Sequence, residues 1–510
     1  MNLRLIFLFL LIPAFQCLAT TASKSPNIIV FLADDQGWSG TSVLMDKNRS
    51  DSKSDFYQTP NLERLAEQSM RFSQAYSPHP NYSSTRMSIQ TGKSPVRLGT
   101  TDIYDVNPGT PGFIEPFYNN FYLNKPLIMH LPIIGLPEEE VTIGEFIKKH
   151  RPDYTTAHFG KWHMGPKNPT IHGYDVHDGP TTNREGGSQI PDPKQIYGIT
   201  DRFVDFIKKQ AAADKPFFLQ ISHYAVHTRI IAKPDTIEKY EGINPGTNHT
   251  NTGYAAMTEN LDESLGVLLK TLHELNLTDD TYLIYTSDNG GEIGPGSTPT
   301  NNTPLRKGKT HTWEGGIRVP LFVRGPRIKA DSQCDTPVNG SDFFATFADL
   351  LGIEETLPAK MDGGSLAGLL KNAGKGKVDR PTEDFVWYYP HYRDFKGVFP
   401  QAAIRSGNYK LRKEYDTDKL LLFDLSKDIG ESNDLSSSHP ELTKKVHQKL
   451  EDYLALVDAK IPTKNPEYDP AKDRGGQQII FGGRALPGSG SGGEPGGAGQ
   501  RRGRPGAGSN

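Results

Sequence analysis

Residues 27–38 read NIIVFLADDQGW, an apolar run of the length of a buried strand that ends in two aspartates. Three later segments repeat this arrangement: YTTAHFGKWHMG at 154–165, KPFFLQISHYAVH at 215–227 and TYLIYTSDNGGE at 281–292. Helical patterns lie between them, among them TPNLERLAEQSMRF at 59–72. Strands that alternate with helices predict an α/β fold with a large, mostly parallel sheet and helices on both of its faces.

The polar residues that follow these four runs are of kinds that carry chemistry. They are Asp34, Asp35, Lys161, His163, His223, His227, Asp288 and Asn289. In open parallel sheets, ligands bind in the crevice beyond the carboxyl ends of the strands. Four such clusters on four strands therefore predict one site at that edge. For His223, a core position and a site position stay open at this point.

Four of these residues offer only oxygen donors: Asp34, Asp35, Asp288 and Asn289. Hard oxygen donors without cysteine suit Ca²⁺ or Mg²⁺ better than zinc. Taken together, they predict a divalent metal site at the sheet edge.

A second set of candidates is cationic or titratable: Arg86, Lys161, His163, His227 and Lys309. Such groups around a metal suit a tetrahedral anion that redistributes its charge in the transition state. Phosphate esters and sulfate esters both meet that description.

The composition is that of an ordinary globular protein, with 510 residues, 35% hydrophobic, and a net charge of −3. It gives no indication of nucleic acid or a membrane surface as partner. We predict a catalytic domain over residues 24–380. From Pro381 the pattern changes to short strands followed by a helix, which predicts a smaller C-terminal α+β subdomain over 381–475.

The two ends of the chain differ from the rest. Residues 1–19 are typical of a signal peptide, with Arg4 before an apolar core, Leu5 to Phe15. We expect export to the periplasm, the extracellular space or the cell surface, and no later segment predicts a membrane span. Cys17 lies in the leader, which leaves Cys334 as one unpaired thiol and no internal disulfide. Residues 482–510, rich in Gly, Pro and Ser, predict a disordered tail.

The chain resembles sulfatases of the alkaline-phosphatase superfamily. The resemblance runs from Pro26 to about Ala459 and includes, in the family's order, PNIIVFLADDQGW, TPNLERLAEQSMRFSQAYS, FGKWHMG, TSDNGGE, LRKGKTHTWEGGIRVPLFVRGP and LFDLSKDIGESNDL. It implies a bound calcium, with magnesium as the alternative, held by Asp34, Asp35, Asp288 and Asn289.

The same resemblance implies roles for the second set of candidates. Arg86 would support the nucleophile and the charge on the metal side. Lys161 and Lys309 would hold sulfate oxygens, His163 would bind near the nucleophile, and His227 would act in acid–base steps beside the leaving oxygen.

One position departs from the family. Its signature has Cys or Ser four residues before an Arg, usually a Pro between them, and Thr-Gly five residues after the Arg. In HPNYSSTRMSIQTGK, residues 79–93, Arg86 and Thr91-Gly92 set the register, which puts Tyr82 at the Cys or Ser position and Ser84 at the Pro position.

The family converts that Cys or Ser to formylglycine, whose hydrate attacks sulfur and whose second hydroxyl then expels the sulfate. Tyr82 cannot be converted, and a sulfated phenol would lack the second hydroxyl. Ser83 is turned by about 100° from that position on a helix start.

Three functions remain open on these grounds. The first is an exported hydrolase of sulfate esters, with a sulfated small molecule or sulfated glycan as substrate. The second is a catalytically impaired relative that binds sulfated glycans through the retained metal and cations. The third is a hydrolase with altered chemistry, in which metal-bound water or Tyr82 itself attacks a phosphate or sulfate ester. We expect the Tyr104–Pro132 insertion and the stretch around His391 to shape the pocket.

Overall fold

The structure, a computed structural model, describes residues 25–102, 124–187, 191–293, 299–393 and 397–473. The predicted signal peptide at 1–19 and the predicted tail at 482–510 lie outside these residues. So does most of the predicted insertion, whose last residues, 124–132, are described.

Short strands build the sheets of the molecule. In chain order they are β1 (Asn27–Ala33), β2 (Met70–Phe72), β3 (Ala75–Tyr76), β4 (Leu127–Ile128), β5 (Thr155–Gly160), β6 (Val176–His177), β7 (Phe217–Ser222), β8 (Thr281–Ser287), β9 (Leu321–Arg324), β10 (Ser332–Cys334), β11 (Val338–Asn339), β12 (Phe385–Tyr389), β13 (Gln401–Ser406), β14 (Tyr409–Glu414), β15 (Lys419–Asp424) and β16 (Thr463–Lys464).

Helices lie between and after the strands. They are α1 (Pro60–Glu67), α2 (Tyr82–Thr91), α3 (Pro95–Leu98), α4 (Ile143–His150), α5 (Ile196–Ala212), α6 (Pro234–Glu241), α7 (Thr252–Glu274), α8 (Glu314–Ile317), α9 (Phe343–Leu350), α10 (Ala367–Lys371) and α11 (Pro440–Leu456). Among the described residues, no helix is both long enough and apolar enough to cross a membrane.

The central sheet has eight strands in the order β10-β2-β9-β8-β1-β7-β5-β6. Strand β9 runs antiparallel to β8 and β2, and the other neighbours are parallel. The four strands predicted from the sequence, β8, β1, β7 and β5, are direct neighbours at the centre. Their carboxyl ends therefore meet along one edge.

Both faces of this sheet are covered. Along β1, Phe31 joins an apolar cluster with Leu265 of α7, whereas Val30 joins a second cluster with Phe347 of α9. Successive side chains of a strand point to opposite faces, so an unbroken apolar strand needs helices on both sides. The predicted fold class, a mostly parallel sheet between helices, is confirmed.

The C-terminal part forms a four-stranded antiparallel sheet, β12-β13-β14-β15, with α11 packed on it through Leu450. It is tied to the central domain by buried charge. The Lys410 ammonium of β14 lies 2.9 Å from a carboxylate oxygen of Glu314 and 2.9 Å from one of Glu431, and all three side chains are fully buried. Trp387 also donates a hydrogen bond to the Ser77 carbonyl, at 2.8 Å. This second contact holds the sheet against the loop that precedes α2.

The described end of the predicted insertion is anchored at a distance along the chain. Strand β4 pairs with β16, with Ile128 opposite Thr463 and Leu127 opposite Lys464.

Candidate active site at the strand ends

Adjacent strands bring the predicted oxygen donors together. Ala33 at the end of β1 is in register with Ser287 at the end of β8, so the residues that follow meet across one strand spacing. The backbone N–H of Asp35 donates to Asp288 Oδ1 at 3.1 Å, and Asn289 Nδ2 donates to Asp35 Oδ1 at 2.7 Å. Asp34 lies in the same group, and all four side chains are buried.

Two acceptors of this group lack a hydrogen-bond partner within the described residues: Asp34 Oδ1 and Asn289 Oδ1. Burial, and then the neighbouring Asp288, raise the pKa of Asp34 above its usual value. Ligand atoms of Asp34, Asp35 and His227 also lie within 4.8 Å of one another. Buried oxygen acceptors without a hydrogen-bond donor are suited to a hard cation such as Ca²⁺ or Mg²⁺.

Each carboxylate of the group also has a cationic partner. Arg86 is fully buried and donates through Nη2 to Asp288 Oδ2 at 2.6 Å, while its Nη1 donates to the Lys161 carbonyl at 2.6 Å. The Lys161 ammonium donates to Asp34. The Lys309 ammonium donates to Asp35 Oδ2 at 2.7 Å. Arg86 thus links helix α2 to the ends of β8 and β5.

The two lysines differ in their electrostatic environment. Burial lowers the pKa of Lys161 to about 8, against the raising effect of Asp34. Burial also acts to lower the pKa of Lys309, but Asp35 and Glu292 outweigh it and raise the pKa above its ordinary value. Glu292 Oε2 lies 3.8 Å from the Lys309 ammonium.

Tyr82 stands at the centre of these groups. It is the first residue of α2, and only 6% of it is exposed. The Lys161 and Lys309 ammonium groups lie 3.5 Å and 4.6 Å from its ring centroid. The imidazoles of His163 and His227 meet the ring edge-on, with centroids 4.9 Å and 5.6 Å away. The aromatic ring therefore fills the space that these four groups surround.

The hydroxyl groups near the ring have defined contacts. Asn183 Nδ2 donates to Tyr82 Oη at 2.8 Å. Ser83 Oγ lies 2.7 Å from His163 Nδ1. Ser83 therefore engages an imidazole of the site, although its side chain leaves α2 in a different direction from that of Tyr82.

The two histidines that follow β7 lie in different environments. His227 stays in the site, with Nε2 3.8 Å from Asp35 Oδ2, and burial, followed by Lys309 and Lys161, holds its pKa well below the ordinary value. His223 lies in the core, with its ring centroid 4.9 Å from that of Phe31 and Nε2 3.2 Å from Ser264 Oγ. His223 is therefore a packing residue.

Two other predicted features lie away from the ring of Tyr82. Cys334 is buried in β10, and its thiol faces the Gly374 carbonyl at 3.3 Å. His391 is buried beside Thr101, at 2.9 Å between Nε2 and Oγ1. The neighbouring Tyr388 carbonyl lies 3.3 Å from His79 Nε2, so this stretch contacts the loop that leads into α2.

Sequence reasoning missed Asn183, Lys194 and Glu292. Glu292 closes the TSDNGGE motif and could have been found from its position beside Asn289. Asn183 and Lys194 lie between β6 and α5, where neither a period nor a motif marks individual residues.

Comparisons with known proteins find matches over most of the chain. The pattern of the family described as Sulfatase matches residues 26–353, and that described as N-sulphoglucosamine sulphohydrolase, C-terminal, matches 308–456. A protein named Sulfatase from Formosa agariphila is 28% identical over 85% of this chain and 89% of its own length. The N-acetylgalactosamine-6-sulfatase of Canis lupus familiaris is 29% identical over 73% of this chain and 70% of its own.

Among solved structures, the crystal structure of Ps i-CgsB matches with a TM-score of 0.67 and 24% identity. The match covers 87% of this chain and 94% of that one. At this level of identity the likeness concerns the fold.

Proposed function

Because the chain belongs to the sulfatase family, we propose that it hydrolyses sulfate esters of carbohydrates in the cleft around Tyr82. Relatives named as N-acetylgalactosamine-6-sulfatases support a sulfated sugar as substrate. We further propose that the protein is exported, for which the signal-peptide pattern of residues 1–19 is the support.

One observation carries the proposal of hydrolysis. Two ammonium groups and two imidazoles, from three separate segments of the chain, converge on one point within about 6 Å of the Tyr82 ring. Each charge is held in place by a buried partner, at a cost in desolvation that a folding role alone does not explain. Preorganised cations are what the transfer of a sulfuryl group requires.

Each side chain then has a task. Asp34, Asp35, Asp288 and Asn289 would hold Ca²⁺, which supplies positive charge to the sulfate oxygens. Lys161 and Lys309 bind those oxygens once the Tyr82 ring has turned aside.

Water takes the place of the missing side-chain nucleophile. Its oxygen bonds to sulfur, the ester S–O bond breaks, and one water proton ends on the alcohol oxygen. His227 is suited to carry that proton, because its depressed pKa keeps the imidazole neutral.

A second candidate function is the binding of sulfated glycans without turnover. The position of Tyr82 favours it specifically. By the register of the sequence resemblance, Tyr82 takes the place of the family's nucleophile. Its contacts with both lysines must be broken before a sulfate can enter.

Sulfate release separates the two functions. The purified protein would be supplied with CaCl₂ and given 4-nitrocatechol sulfate and N-acetylgalactosamine 6-sulfate. Tyr82→Cys would be tested beside it, coexpressed with the formylglycine-generating enzyme, with unconverted Tyr82→Cys as the matched control.

If the wild type releases sulfate and Lys309→Ala does not, the result supports hydrolysis by water. If the wild type binds the sulfated sugar without releasing sulfate, and only the converted Tyr82→Cys releases it, the result supports the binding of sulfated glycans without turnover. If the wild type neither binds nor releases sulfate, both functions are refuted.

A further inference from the structure

Lys194 is a largely buried lysine on the same connection between β6 and α5 as Asn183, whose amide contacts the Tyr82 hydroxyl. It lies in a 3₁₀ turn, Pro193–Gln195, directly before α5, and only 6% of it is exposed. Throughout the described ranges, no hydrogen bond or ion pair involves its ammonium. The ammonium keeps some contact with solvent, but the hydration that it has lost is not replaced by a hydrogen bond or ion pair from the described residues.

The charges of the site act on this ammonium. Burial lowers the pKa of Lys194 to about 8, Asp34 and Asp35 act to raise it, and Lys161 and Arg229 act to lower it. Lys194 is nevertheless not the counterion of either carboxylate, since Asp34 is bonded to Lys161 and Asp35 to Lys309.

The backbone holds Lys194 in an unfavourable conformation. Lys194 and Gln195 follow one another at φ of 59° and 52°, in the left-handed region that residues other than glycine seldom adopt. Asp192 secures the turn, because its carboxylate accepts from the backbone N–H groups of Tyr197 at 2.8 Å and Gly198 at 3.0 Å. Strain of this kind persists where the surrounding structure enforces it.

In the proposed complex with a divalent metal and a sulfate ester, the positive charge of Lys194 is not balanced by a negative charge. The carboxylates Asp34, Asp35, Asp288 and Glu292 face three cations, Arg86, Lys161 and Lys309. A divalent metal and one sulfate monoester bring this set to neutrality. The charge of Lys194 then remains, and the exposed Arg229 adds to it.

We propose that Lys194 binds a second acidic group of the substrate, so that the preferred ligand carries a sulfate ester and, beside it, another sulfate or a carboxylate. This inference rests on the proposed recognition of sulfated carbohydrates. It makes Lys194 a specificity-determining residue, separate from the groups that act on the ester.

This role of Lys194 can be tested by isothermal titration calorimetry, which measures the binding of three probes in the presence of CaCl₂. N-Acetylgalactosamine 6-sulfate carries one anionic group, N-acetylgalactosamine 4,6-disulfate adds a sulfate, and a chondroitin 6-sulfate disaccharide adds a uronate. We expect one of the two doubly charged probes to bind at least about tenfold more tightly than the first, as for hydrogen bonds to a charged group. Which probe it is identifies the second group.

Variants test whether Lys194 causes the preference for a doubly charged probe. Lys194→Gln should abolish it and leave the affinity for the monosulfate within about twofold, whereas Lys194→Arg should keep it. Lys208→Gln, on the exposed face of α5, is the matched control and should behave as wild type. Lys194→Arg also shows that the turn tolerates substitution.

The failures are distinguishable. Equal affinity of wild type for all three probes, or a preference that persists in Lys194→Gln, overturns the role of Lys194 alone. Absence of binding to every probe refutes the proposed function and this inference with it.

Discussion

Replacing Tyr82 by alanine should open the anion pocket and strengthen sulfate binding. The ring lies 3.5 Å and 4.6 Å from the ammonium groups of Lys161 and Lys309, and its hydroxyl accepts from Asn183. A sulfate that enters must displace all three contacts in the wild type. In Tyr82→Ala it would displace only water.

The contacts set the magnitude of this effect. A cation–π contact contributes about 0.5–2 kcal/mol, with the higher values at desolvated sites such as this one. The hydrogen bond from Asn183 adds about 1 kcal/mol. Together the ring contacts amount to about 2–5 kcal/mol, which corresponds to roughly a 30- to 4,000-fold lower Kd for sulfate when the ring is absent.

Calorimetric titration with sodium sulfate, and then with N-acetylgalactosamine 6-sulfate, measures the change. Tyr82→Phe is the control, since it keeps the ring between the lysines and loses only the hydrogen bond to Asn183; its Kd should fall by less than about tenfold. A melting curve for each variant confirms that it is folded. If folded Tyr82→Ala binds sulfate no more tightly than wild type, the ring does not compete with the anion.

Three further features of the protein can be tested by measurement: the metal site, the buried His223 and the contact between the two sheets. Calcium at about 100 times its Kd should stabilise the wild type by about 2.7 kcal/mol, seen as a rise in Tm; Asn289→Ala removes one buried acceptor, and an undiminished rise in that variant would contradict the assignment. Burial lowers the pKa of His223 to about 3, so the fold keeps it neutral while the unfolded chain takes up a proton below about pH 6.5. Its contribution to stability is therefore present above that pH and is lost as the pH falls, by about 2 kcal/mol near pH 5, and urea titrations should show His223→Gln losing less stability than wild type over that range. Lys410→Met removes the cation that two buried glutamates share, of which Glu314 keeps only Arg318, at 3.4 Å. It should lower the free energy of unfolding by about 3–5 kcal/mol, whereas Lys419→Met, at an exposed position, should change it by under about 0.5 kcal/mol in the same denaturation assay.

The architecture could be predicted because it follows from local pattern. Four apolar runs at strand length, each closed by polar residues, indicate a parallel sheet, and the carboxyl ends of such strands must lie along one edge. Asp34 and Asp288 are therefore neighbours for a reason that the sequence contains, although 254 positions separate them.

The same local pattern does not predict in which direction an individual side chain points. His223 and His227 follow one strand, yet one packs on Phe31 and the other faces Asp35. Asn183 and Lys194 lie in a connection without period or motif, and their proximity to the site arises from the path of that connection.

By itself, the sequence determined the family, the set of charged residues and the absence of Cys or Ser at position 82, because these are matters of residue identity and order. Only the tertiary structure decided that the Tyr82 ring fills the space between Lys161 and Lys309, and that the largely buried Lys194 pairs with no residue that the structure describes. Those facts depend on distances between residues far apart in the chain, which are settled when the sheet, its helices and its loops pack together.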